Sequence, residues 1–135
     1  GHSYLGEWVN LGADTNTSDL KNNYGSIRIN LDGREVDTGV MFLGSLIGDH
    51  VKTGINTMLN TGTVIGVGAN VFGAGFPPKA IDRFAWGTDG ERFDVDRAVD
   101  LARVVMARRS VQLKPEDETL LRYLHSPGGN FPSSQ

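Results

Sequence analysis

Ile47-Gly48-Asp49-His50-Val51-Lys52, Thr53-Gly54-Ile55-Asn56-Thr57-Met58, Leu59-Asn60-Thr61-Gly62-Thr63-Val64 and Ile65-Gly66-Val67-Gly68-Ala69-Asn70, followed by Val71, decide the fold. Read in sixes, the first place is Ile47, Thr53, Leu59, Ile65 and Val71. The second is Gly48, Gly54, Asn60 and Gly66, and the fifth is Val51, Thr57, Thr63 and Ala69. The start of the chain carries the same signal, with Leu5-Gly6 and Val9, then Leu11-Gly12 and Thr15. A period of six sends an aliphatic residue inward and, four residues later, a small or β-branched one. Gly or Asn beside the aliphatic residue is expected to turn the corner through positive φ. Three sixes make one triangular coil, and stacked coils pair edge to edge as parallel strands. A β-sandwich would instead show longer alternation with turn signals every 8–12 residues. Four in-phase hexads favour a mainly β, left-handed parallel β-helix, an exception to the usual right-handed crossover.

Outward from that block the texture changes twice. Residues 19–40 break the period. Ile27, Ile29 and Leu31 alternate with polar residues before Asp32-Gly33, a good type I′ turn, and Thr38 and Val40 suit the returning arm. A loop and hairpin projecting from one corner, toward a neighbouring subunit, are expected there. After residue 75 the period vanishes. Ala85-Trp86 and Arg92-Phe93 around Asp89-Gly90 read as a short hairpin. Asp94 suits the N-cap of a helix with the stripe Val95, Ala98, Val99, Ala102, Val105 and Met106, a packing face rather than a cofactor surface. Pro115 followed by Glu116, Asp117 and Glu118 opens a second helix that ends near His125. The expected organisation is a β-helix over 1–75 with its insertion, a hairpin and two-helix extension over 76–126, and a flexible tail over 127–135. Residue 5 already opens a hexad, so the first coil is expected to have an open edge, as in a piece of a longer protein.

Composition agrees with this division. Of 18 glycines, 14 lie in residues 1–75, and all five prolines follow residue 76. At 135 residues the chain is long enough for a core without staples. The absence of cysteine excludes a disulfide scaffold, a cysteine nucleophile and a thiolate zinc site. A net charge of −3 argues against a nucleic-acid partner. No apolar run approaches the ~18 residues of a membrane span, and the first residues do not read as a signal peptide. A cytoplasmic setting with no membrane partner is the expectation.

Candidate chemistry is sparse. Gly1-His2-Ser3-Tyr4-Leu5 lacks the last glycine of a nucleophile elbow, and Gly66-Val67-Gly68 is part of the repeat rather than a dinucleotide fingerprint. No His or acidic pair has metal-ligand spacing, so no metal is expected. His125 reads as a polar helix end. His50, fourth in its hexad beside Lys52, is expected to point outward, either as a solvated corner residue or as a base in a groove between subunits. Asn22, Asn23 and Tyr24 in the inserted loop suit hydrogen bonds to a ligand or to their own turn.

The hexads, with Val9-Asn10-Leu11-Gly12-Ala13-Asp14-Thr15 and Asn23-Tyr24-Gly25, resemble the C-terminal domain of bifunctional N-acetylglucosamine-1-phosphate uridylyltransferase/glucosamine-1-phosphate acetyltransferase. Related sugar nucleotidyltransferases share Thr17-Ser18-x-Leu20-Lys21-Asn22 and Gly54-Ile55-Asn56-Thr57, and the resemblance covers residues 3 to about 75. It implies a homotrimer that takes acetyl-CoA as donor and a sugar phosphate or nucleotide-sugar as acceptor. By this resemblance Asn10 lines the acceptor pocket, Asn23 and Tyr24 border the acetyl group, and Gly73 and Ala74 present backbone amides to acetyl-CoA. Ile55 stands where the family has a serine near the thioester. His2 resembles the family's His-x-x-Tyr-Leu-Gly base, but the gapless register places that base upstream of Gly1. His50 and Lys52 replace non-catalytic family positions and are candidates for a substitute base and a phosphate contact. Two functions are therefore expected: an acetyl-CoA-dependent acyltransferase domain of a sugar-nucleotide enzyme, and a non-catalytic trimerisation scaffold for a nucleotidyltransferase.

Overall fold

The computed structural model describes residues 1–127. It is mainly β, built from very short parallel strands, and its pairing is compatible with a β-helix. β1 (Tyr4–Leu5), β6 (Leu46–Ile47), β9 (Val64–Ile65) and β11 (Ala80–Ile81) form sheet A in that order. β2 (Asn10–Leu11), β7 (Lys52–Thr53), β10 (Asn70–Val71), β12 (Ala85–Trp86) and β13 (Glu91–Arg92) form sheet B. β3 (Asn16–Thr17) and β8 (Met58–Leu59) form sheet C. The register pairs Leu46 with Val64 and Lys52 with Asn70, so partners are three sixes apart.

Burial follows the period. Ile47, Thr53, Leu59, Ile65 and Val71 are at most 7% exposed, and Val51, Thr57, Thr63 and Ala69 fill the fifth places at 6% or less. The threonines enter the core without stranding a hydroxyl. Thr15, Thr57 and Thr63 each donate to the carbonyl three residues back, at Gly12, Gly54 and Asn60, over 2.7–2.8 Å. Leu5 and Leu11 share the inward phase yet are 46% and 39% exposed.

The corner chemistry differs from expectation. Positive φ falls on the fourth place, not the second: Trp8 (61°), Asp14 (60°), His50 (62°), Asn56 (58°), Gly62 (68°), Gly68 (73°) and Phe84 (55°). The second-place glycines have ordinary φ and serve close approach instead. A Cβ on Gly66 would stand 2.5 Å from the Arg83 amide nitrogen, and one on Gly12 would stand 2.5 Å from the Gly54 carbonyl carbon. Gly66→Ala is therefore expected to cost about 1–3 kcal/mol of overpacking, read by urea unfolding. An unchanged midpoint would show that the next coil can move away.

The 19–40 insertion holds the expected hairpin, β4 (Arg28–Leu31) against β5 (Arg34–Asp37), turning at Asp32 (φ 51°) and Gly33 (φ 84°). Ile27 N–H donates to the Val40 carbonyl and Thr38 N–H to the Ile27 carbonyl, which extends the ladder to both predicted arms. The base of the hairpin packs on its own chain. Ile27 and Ile29 are buried, and their methyls and the Arg28 carbonyl crowd Gly62. Alanine at Gly62 would meet that carbonyl at 2.7 Å and would also suffer the positive φ.

Past residue 75 the parallel pairing continues through β11 and β12 although the sequence period has gone. β12 then pairs antiparallel with β13, the predicted hairpin. Phe84, 1% exposed, lays its ring over Gly68, where a Cβ would stand 2.6 Å from the ring.

The chain divides into two compact units, Gly1–Phe93 and the residues from Asp94 on. In the second, α1 (Val95–Ala107) and α2 (Pro115–His125) match the expected helices. Asp94 caps α1 by accepting from the Arg97 N–H at 3.0 Å. Val99, Ala102 and Met106 of the predicted stripe are buried. Arg122 pairs with Asp96 at 2.7 Å, and Arg103 pairs with Glu118. Asp94→Ala is expected to cost about 1 kcal/mol, measured as a lower unfolding midpoint. The tail expected from residue 127 lies outside the described residues except for Pro127.

Candidate functional site

Asn10, Lys52 and Asn70 occupy consecutive rungs of sheet B, because β2, β7 and β10 pair in register. Being sixth in the hexad, one residue after an inward side chain, they face away from the core. His50 sits two residues before Lys52, on the corner between β6 and β7. Its N–H donates to the Glu7 carbonyl at 2.9 Å, and its own carbonyl accepts from Lys52 Nζ at 3.1 Å. The simple picture of a solvated corner histidine does not hold: the residue is half-buried and its Nδ1 is shielded from solvent. Hexad phase places the backbone but not the tilt of a ring at a left-handed corner.

Burial pulls the pKa of Lys52 below the ordinary lysine value. The folded pKa therefore lies under the unfolded one. The charged ammonium costs stability below the folded pKa, and that cost fades as pH rises toward about 10.4. Lys52→Met is expected to gain stability relative to wild type at pH 7, and the gain should shrink near pH 10. A difference independent of pH, in paired denaturant titrations, would contradict this assignment.

The inserted loop presents the other expected residues. Tyr24 is 64% exposed with φ 57°, and its N–H closes a turn onto the Lys21 carbonyl at 3.0 Å. Asn23 Oδ1 accepts from the Gly25 N–H at 2.9 Å, so half of its amide serves its own turn. Gly73 (φ 131°) and Ala74 lie exposed in the connection from β10 to β11. His2 is turned to structure, with Nδ1 2.7 Å from Asp19 and its ring 5.4 Å from that of Phe42. Its contact holds the Asp19 carboxyl below the usual range.

Sequence reasoning missed a cleft of about 500 Å³. It is lined by Ser18, Leu20, Lys21, Asn22, Asn23, Asn60, Thr61, Phe76 and Lys79. Asn22 and Asn23 of the inserted loop are the expected residues among them. Lys21 Nζ donates to the Ser26 carbonyl and Lys79 Nζ to the Arg28 carbonyl, both at 3.0 Å, so the hairpin base anchors both ammonium groups. Burial first, and then the charge of Lys21, lowers the pKa of Lys79, while Glu35 opposes the shift. Asn10, Lys52 and His50 are carried by sheet B and its corner and do not line this cleft. Among the described residues no group of three or more His, Cys, Asp or Glu is placed to hold a metal. No helix there is long and apolar enough to cross a membrane.

Comparison with known proteins gives a consistent set of relatives. The chain is 36% identical over 72 residues to a bifunctional sugar-1-phosphate nucleotidylyltransferase/acetyltransferase of Sulfurisphaera tokodaii, covering 53% of this chain and 18% of that protein. It is 38% identical over 74 residues to the bifunctional protein GlmU of Methanococcus maripaludis, covering 52% and 18%. The GlmU of Methanocaldococcus jannaschii is 35% identical over 66 residues, covering 49% and 16%. The match thus spans less than a fifth of each of these relatives, and it bears out the resemblance read from the sequence. No family model matches the chain.

Proposed function

We propose that this chain is the acetyltransferase-type portion of a sugar-nucleotide enzyme, folded as a left-handed hexapeptide β-helix and working as a homotrimer in the cytoplasm. The observation that carries the reading is the match of about half the chain, at 35–38% identity, to proteins named as nucleotidylyltransferase/acetyltransferases or GlmU. In this reading the amine of an amino-sugar phosphate attacks the thioester carbon of acetyl-CoA. A nitrogen–carbon bond forms, the carbon–sulfur bond breaks, and the thiol leaves with the proton that the amine gives up. His50 takes that proton from the amine as general base and passes it to the departing sulfur; imidazole is suited to the task near neutral pH. Asn10 and Lys52 meet the acceptor from the sheet B face. Asn23 and Tyr24 of an adjoining copy close the groove, and the backbone amides of Gly73 and Ala74 meet the donor. Tyr24 is exposed enough to serve another copy, while Ile27 and Ile29 keep the hairpin on its own chain.

A second reading, a trimerisation scaffold without chemistry, is favoured by Ile55. It is 71% exposed and puts an apolar side chain where the resemblance expects a serine near the thioester. The deciding experiment incubates the chain with acetyl-CoA and glucosamine 1-phosphate and follows thiol release. Thiol release that depends on the sugar phosphate supports the enzyme. A trimer that releases none supports the scaffold.

A further inference from the structure

We propose that the cleft between the inserted loop and the 76–79 segment is a phosphate subsite, with the phosphoryl group held between Lys21 and Lys79 and its organic part lying against Phe76. Three observations converge. First, both ammonium groups are tethered by one hydrogen bond each, to the Ser26 and Arg28 carbonyls. Each keeps two N–H donors for a ligand, and tethering removes part of the entropy lost on binding. Second, no lining residue is acidic, whereas amides are contributed by Asn22 and Asn60. The acid whose charge acts on Lys79 is Glu35, and its carboxylate is 3.5 Å from the Arg28 guanidinium. Asp37 acts on Lys21 from outside the lining as well, so the cleft itself presents two cations and no carboxylate, which fits a dianion better than a single carboxylate.

Third, the space exceeds what an ion needs. A volume of about 500 Å³ is in the range of sites for small organic ligands. Phe76 leaves 64% of its surface exposed at the cleft, an apolar face for a sugar ring or a base. The shared chemistry is therefore an organic phosphate, drawn from a sugar phosphate or from a nucleotide.

The test titrates the whole chain at low salt with inorganic phosphate, glucosamine 1-phosphate and ADP, with glucosamine and adenosine as controls. Calorimetry or amide NMR shifts report binding. The phosphorylated probes should bind and the controls should not. Lys21→Gln and Lys79→Gln should each weaken binding about tenfold, and the double variant about 100-fold. Lys79→Arg should restore most of the affinity, which a merely structural lysine would not require. Phe76→Ala should weaken the two organic probes but not inorganic phosphate. Tighter binding of glucosamine 1-phosphate than of ADP identifies a sugar phosphate as the source, and the reverse identifies a nucleotide; either supports the subsite. Binding that survives the double variant, or no binding of any phosphorylated probe, overturns it. Phosphate binding without thiol release would keep this subsite and remove the proposed reaction.

Discussion

His50→Ala is expected to lower acetyl transfer by roughly 10²–10⁴-fold, the usual worth of a general base. Acetyl-CoA binding should survive, because the imidazole does not hold the donor. Since His50 sits at φ 62°, alanine there is strained, and a loss of activity from misfolding has to be separated from a loss of chemistry. His50→Asn makes that separation, because Asn tolerates the left-handed corner and carries no base at neutral pH. Both variants should lose turnover alike while His50→Asn keeps the unfolding midpoint. Unchanged turnover in His50→Asn would leave His50 a corner residue and move the base elsewhere.

Phe84→Ala is expected to be the most destabilising single change in the first unit, at about 3–5 kcal/mol. Phe84 is 1% exposed, and its ring lies on Gly68. Against a total stability of about 5–15 kcal/mol, such a loss can unfold the chain. Gly68→Ala attacks the same contact from the other side. It adds about 1–2 kcal/mol of left-handed strain at φ 73° and a Cβ 2.6 Å from the ring. In the Phe84→Ala background only the strain should remain, so the two effects should be less than additive in a denaturant cycle. Strict additivity would mean that the ring does not rest on Gly68.

What could be read from the sequence was what a period carries. Ile47 to Val71 announced their burial because side-chain direction follows position in the hexad. Asp32-Gly33 announced a hairpin, and Asp94 a helix start, because each residue type meets a local backbone demand. The glycine roles were misread because one residue type answers two demands. Positive φ and close approach both select glycine, and only coordinates separate Gly68 from Gly66. The Lys21–Lys79 cleft was not legible because it joins residues 58 positions apart through a non-periodic fold-back. Its local hints were Asn22-Asn23 in the inserted loop and Phe76-Pro77-Pro78-Lys79, where a proline pair follows the periodic run. His50 was legible as a corner but not as half-buried, since ring tilt depends on neighbours in other coils.

Both the enzyme and the scaffold need three copies, and the proposed groove exists only where the sheet B face of one meets the inserted loop of the next. Closed cyclic symmetry satisfies such a head-to-tail contact with no copy left over. The most direct measurement is the solution mass by light scattering at micromolar concentration. The expected mass is about 44 kDa, three times the 14.6 kDa chain. A mass of 14.6 kDa under those conditions would contradict the groove, and with it the roles given to Asn10, Lys52 and Tyr24.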